Sequence, residues 1–246
     1  MSTQTQVRPS ENITSINQHS RISTIANQLR TTLNLFPIDP IPTFNPILKK
    51  LKIAYIEESF GKNTQSFSSE VSADYYLIGY NKDMSNELSF KRFAIAHELG
   101  HILLHNHIYQ NDTMHKSKPE CQSEDPVEQE ADCFARYFLA PLKAVHHITI
   151  AKPLKKQLIH NVAEYFNMST LSASIQTILA SQEQAFALFC PKNTPNIAMY
   201  YKSSAMQKQF PNSFTGLSKA RILKDVNAKD IEEFETPHFE ILLAKA

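Results

Sequence analysis

Apolar residues recur every three or four positions at Ile22, Ile25, Leu29 and Leu33, which predicts a helix over 22–35. Pro37, Pro40 and Pro42 interrupt the chain, and a second helix is expected over 44–51. The runs at 53–56 and 74–80 are rich in β-branched and aromatic residues and read as strands. Residues 81–89 make a turn into the next helix, with Ser89 as its candidate N-cap. Phe93, Ala96, Gly100 and Leu104 form one apolar face of that helix. A fourth helix is well delimited, with Asp125 as N-cap, Pro126 at its first position and Pro141 beyond its end. Its buried stripe is Val127, Ala131, Phe134, Ala135 and Phe138. Residues 153–180 read as helix, turn, helix, and 185–190 and 197–201 as strands. The pattern is α+β. It divides into a polar tail over 1–22, expected to be disordered, a main domain over 23–181 and a small C-terminal subdomain over 182–246.

Inside the apolar frame of the third helix lies His97-Glu98-Leu99-Gly100-His101. Two histidines four apart share a helix face, one turn above the other, so both imidazoles can converge on one zinc ion. Glu98 is rotated off that axis, where it serves as a general base toward a metal-activated water rather than as a ligand. Gly100 is one of only four glycines in the chain, and its place mid-helix implies that another backbone segment packs closely there.

A hydrolytic zinc takes three protein ligands and keeps one open position. Glu128 is the favoured third ligand, because Asp132 shares its helix face and is placed to orient a ligand histidine. Glu130, on the far side of that helix, and His107 are the alternatives. His107 has the spacing of an extended histidine motif but lacks the glycine turn that motif needs, since Leu104 stands there. A capping box with Asp125 would explain Glu128 without a metal, but it would leave Asp132 unexplained. His105 suits a helix end.

The two blocks, Phe93-x-x-Ala96-His97-Glu98-Leu99-Gly100-His101 and Glu128-x-x-Ala131-Asp132-x-Phe134-Ala135-x-x-Phe138-Leu139-Ala140-Pro141, resemble the ImmA/IrrE-type metallopeptidases. Asp132 stands where asparagine is common, Phe138 where leucine is usual and Ala140 where methionine is. The resemblance implies a zincin-like fold over about 23–181 and one zinc per chain held by His97, His101 and Glu128. It also implies Glu98 as catalytic base and a protein substrate of the DNA-binding repressor type.

Composition narrows the remaining options. A net charge of +1 gives no strongly polyanion-binding surface. Three cysteines without a CxxC pair fit a reducing cytoplasm. Neither an N-terminal apolar core nor an 18-residue apolar run is present, so neither secretion nor membrane spanning is expected. The second helix of 153–180 carries no Lys or Arg over its first turns, so direct nucleic-acid binding is not expected. The strand at 74–80 is a candidate for the sheet edge on which an extended substrate adds. Tyr75, Tyr76, Tyr80 and Tyr137 are candidates to stabilise an oxyanion. Residues 106–125 read as a loop over the cleft, and Cys121 or Cys133 as candidate blocking thiolates. The reading is a zinc-dependent endopeptidase. Its rivals are a non-proteolytic regulatory module with a structural zinc and a DNA-binding regulator using 153–180.

Overall fold

The computed structural model describes residues 16–36, 38–60, 64–85, 87–105, 114–117, 123, 125–192, 197–210, 214 and 217–246. It divides into two compact units, one of 14–144 with 163–169 and one of 145–162 with 170–246.

The first unit is built on a four-stranded sheet. Its strands are β1 (Ile53–Glu58), β2 (Ser66–Ser72), β3 (Tyr75–Asn81) and β4 (Met114–Ser117), in the order β1-β3-β2-β4. β3 pairs with β1 in parallel and with β2 antiparallel, and β4 pairs antiparallel with β2. The expected edge role of 74–80 is therefore corrected: β3 is interior, and the edges are β1 and β4. The interior position agrees with the burial of Ile78, Gly79 and Tyr80. Gly79 faces Phe67 across the β2–β3 pair, and a Cβ at Gly79 would sit 2.1 Å from the Phe67 ring. Glycine there gives the ring its place.

Four helices complete this unit: α1 (Ile16–Thr32), α2 (Asn45–Lys50), α3 (Leu88–Leu104) and α4 (Pro126–Leu139). α1 starts six residues earlier than the apolar repeat suggests, so 16–22 are helical and not part of a tail. The cap of α3 is Glu87, with extended backbone and no side-chain bond, and Ser89 falls inside the first turn. α4 begins as expected, with the Asp125 carboxylate accepting from the Val127 amide at 2.9 Å.

α3 packs against β2 and β3 on one side and against α4 on the other. That explains why Arg92 through Ile102 are buried without a break, with no polar stripe left for solvent. The helices pack closely at Gly100, where a Cβ would lie 3.1 Å from Ala131 Cα and 3.2 Å from its carbonyl oxygen. α1 lies on α4. Arg30 of α1, 2% exposed, donates to the carbonyls of Phe138 and Phe36 at 2.8 Å, tying the C-terminal end of α4 to the loop after α1. Also at this seam, the Tyr137 hydroxyl and the Cys133 thiol both lie on His19 Nδ1, at 3.0 and 3.2 Å. Burial, helped by the nearby Arg136 cation, pulls His19 down to about 4.

The second unit contains most of α5 (Leu142–Thr149) and α6 (Lys156–Phe166), together with α7 (Thr170–Ala180), α8 (Ser204–Gln209) and α9 (Lys219–Asp225). Its sheet is wholly antiparallel: β5 (Ala185–Pro191), β6 (Met199–Lys202), β7 (Lys229–Glu235) and β8 (Phe239–Lys245), ordered β6-β5-β8-β7. β5 is buried on both faces from Ala185 to Cys190. Phe186 and Leu188 join Met206, Phe214, Ile222 and Leu242 in one core, and α7 packs on the same strand. The chain turns from α6 to α7 through Asn167 at φ 49°, as the Asn-Met-Ser turn implies.

Two expectations follow. Gly100→Ala gains helix propensity but crowds the α4 backbone, so it should lower the unfolding free energy from urea titration by a net of about 1–2 kcal/mol, and Gly100→Leu should not fold. His19 is neutral in both folded and unfolded chains above pH 6.5. Below that, the unfolded chain takes a proton that the buried ring refuses until about 4. Stability should therefore fall by up to about 2 kcal/mol from pH 7 to 5 through this residue. Urea titrations of His19→Gln should show a correspondingly shallower pH dependence.

Candidate metal centre

His97 and His101 stand one turn apart on the face of α3 that meets α4, and Glu128 stands in the first turn of α4. One donor atom from each lies within 4.8 Å of the others. The two Nε2 atoms are 2.9 Å apart, and the Glu128 carboxylate lies 3.1 Å from His101 Nε2 and 3.6 Å from His97 Nε2. All three residues are buried, with His101 fully so. Three lone-pair donors facing one another out of water need a shared cation or extra protons. The carboxylates around His97 favour its charged form. Burial opposes its charge, but the Asp132 and Glu128 carboxylates outweigh that and push it up to about 10. The donor set, two imidazole nitrogens and one carboxylate oxygen, suits a borderline transition metal such as zinc.

Around this group the helices supply support. Asp132, one turn after Glu128, meets His97 Nδ1 at 2.8 Å, which leaves Nε2 as the nitrogen facing the metal position. The capping-box alternative for Glu128 is not made: the Asp125 amide donates to Ser123 Oγ at 3.2 Å instead. Glu130 points the other way. It accepts from Gln18 and Arg21 of α1 and meets His105, the C-cap of α3, at 2.8 Å. His107 and Cys121 lie outside the described residues. Cys133 faces His19, and burial pushes its thiol up to about 12, which leaves no thiolate to block a metal.

Glu98 lies between the ligands in sequence but a third of a turn around the helix from His97, on the side of the sheet. Its carboxylate accepts from the Ser66 hydroxyl at 2.7 Å and from the Ser68 hydroxyl at 2.5 Å, both on β2. These serines were not legible as functional positions, because Ser-Phe-Ser-Ser-Glu-Val-Ser lacks the β-branched density of a strand. Their i, i+2 spacing, which puts both on one strand face, was the available signal. None of the tyrosines considered for an oxyanion makes a described contact with the three donors. The Tyr80 hydroxyl donates to the Ser85 carbonyl at 2.7 Å, Tyr137 meets His19, Tyr76 packs against the core, and Tyr75 is exposed.

The assignment is testable by metal titration of the metal-free chain. Glu128→Ala should weaken zinc binding far more than Glu130→Ala. Asp132→Ala should cost about 10–100-fold through His97, without removing a ligand. Equal losses for the two glutamates would remove Glu128 from the set.

Comparisons with known proteins identify a family and a fold likeness. Residues 48–176, just over half of the chain, match the peptidase-family model described as the IrrE N-terminal-like domain. No curated protein sequence matches. Among solved structures, a Mycobacterium tuberculosis transcriptional regulator superposes with a TM-score of 0.52 at 12% identity, over 92% of this chain and 74% of that one. At that identity the likeness concerns the fold. The family match includes α3 and α4 with the whole His97, His101 and Glu128 group, and the chain belongs to the IrrE N-terminal-like peptidase family.

Proposed function

We propose that this chain is a zinc-dependent endopeptidase that makes site-specific cuts in a regulatory protein of the DNA-binding repressor type, in the cytoplasm. The observation that carries the reading is the division of labour on α3. Two histidines face Glu128 across the α3–α4 seam, while Glu98 is held apart from them by two serines. A metal that only stapled the fold would need neither an open position nor a glutamate beside it.

A zinc bound there would polarise the scissile carbonyl and lower the pKa of a water ligand toward about 7. The chain's own residues do the rest. Asp132 fixes the His97 ring. Glu98 accepts a proton from the attacking water and hands it to the leaving amine. α3, buried from Arg92 to Ile102, keeps these groups in one geometry.

The fold likeness to a protein named as a transcriptional regulator favours a second reading, in which the chain acts on regulation by contact and not by cleavage. A DNA-binding role for α7 has less support, since Leu171 through Ile178 are buried. Free thiols at Cys133 and Cys190, both buried, fit the cytoplasmic assignment. No helix among the described residues is long and apolar enough to cross a membrane.

The test is a comparison of protein N-termini across cells expressing wild type or Glu98→Gln. Glu98→Gln should keep zinc at one per chain and abolish cleavage, so new termini within a DNA-binding regulator should appear with wild type alone. Identical termini, with a regulatory phenotype that survives Glu98→Gln, would establish the contact reading.

A further inference from the structure

Glu98 is fully buried, and among the described residues no Lys or Arg pairs with it. Its partners are neutral. Ser66 Oγ reaches Oε1 at 2.7 Å and Ser68 Oγ reaches Oε2 at 2.5 Å, so each carboxylate oxygen accepts one hydroxyl hydrogen. Ser66 is 1% exposed and Ser68 0%. A buried carboxylate is costly, and a Leu or Met at 98 would fill the same volume without that cost. Packing alone therefore does not account for the acid or for two hydroxyls opposite it.

We infer that Ser66 and Ser68 are positioning residues that aim the Glu98 carboxylate for proton transfer. The inference rests on the peptidase reading. Attachment at both oxygens fixes the carboxylate plane as well as its place, which a single hydrogen bond would not. The serines can hold it because β2 is itself held on both sides. Residues 66–69 pair with β3 (Ser66↔Tyr80, Ser68↔Ile78) and with β4 (Ser66↔Ser117, Ser68↔His115). On the strand's other face Phe67 sits against Gly79, where any side chain would displace it. A two-residue register shift of β2 is blocked by that ring, and a one-residue shift would turn the hydroxyls away. A misplacement of about 1 Å at a catalytic group can cost about 10²-fold in rate. The serines thus act on the rate of the chemical step, through Glu98, and not on metal binding or substrate affinity.

The test uses the zinc-loaded full chain and a quenched-fluorescent peptide spanning the cleavage site found in the N-terminus comparison. Ser66→Ala and Ser68→Ala should each lower kcat about 10-fold, and the double variant about 100-fold, with KM and zinc affinity unchanged. Ser68→Thr, which keeps the hydroxyl, should return kcat to within about threefold of wild type. A second readout needs no metal. In urea titrations of the metal-free chain, truncating one serine should lower the midpoint at least twice as much beside Glu98 as in a Glu98→Gln background, where no charge is left unpaired. If the double variant does not fold, the single variants carry both measurements. Wild-type kcat in the folded alanine variants, or a drop in zinc affinity that accounts for their loss, would overturn the inference and leave the peptidase reading standing. A zinc-loaded wild type that cuts nothing would overturn that reading, and the positioning role with it.

Discussion

The close approach of α3 and α4 at Gly100 and Ala131 sets the geometry of the metal position. A Cβ at Gly100 would lie 3.1 Å from Ala131 Cα, so any other residue there would push the two helices apart. His97 lies one turn before this contact and His101 directly after it, while Glu128 lies one turn before Ala131. Helix separation at the contact is thereby converted into donor separation at the metal position. The same contact puts Asp132, next to Ala131, opposite His97. Ligand and supporting carboxylate come from one turn of one helix, and a single packing distance governs both.

A helix buried on all sides is normally apolar on all sides, and α3 is not. Arg92, His97, Glu98 and His101 are all buried within it. Three different neighbours answer them. Arg92 donates to the Ile41 carbonyl, the histidines turn to α4, and Glu98 turns to β2. The polar groups are sorted by direction around the helix axis, each set meeting its partners on its own side. That sorting also separates metal binding from proton handling although the residues adjoin in sequence.

Much of this is legible in the amino-acid sequence alone. The histidine pair, the caps of α4 and the partnership of Glu128 with Asp132 all follow from helical periodicity and local chemistry, which are short-range properties. Glu130 is separable from Glu128 for the same reason, and its contacts with α1 and His105 agree. What fails to show depends on long-range pairing. β2 is a strand because β3 and β4 flank it, not because its serines favour one. β3 reads as a possible edge because a strand's neighbours are not written in its own residues. β4 lies within a stretch that reads as loop, and α8, α9 and β7 in the second unit carry too few periodic positions to stand out. The early start of α1 is polar, and it is held by contacts to Glu130 and Tyr137 more than 100 residues away.

β4 has one further consequence. Glu128 follows His101 by 27 positions, and between them the chain returns to the sheet to pair with Ser66–Ser69. The covalent tether joining the two halves of the ligand set is therefore anchored partway. An anchored tether replaces one long chain closure by two shorter ones and raises the effective concentration of Glu128 at the histidine pair. Strand pairing at the rim of the sheet and affinity at the metal position are thus linked through chain entropy. Loss of the β4–β2 pairing would therefore act on the ligand set without touching it.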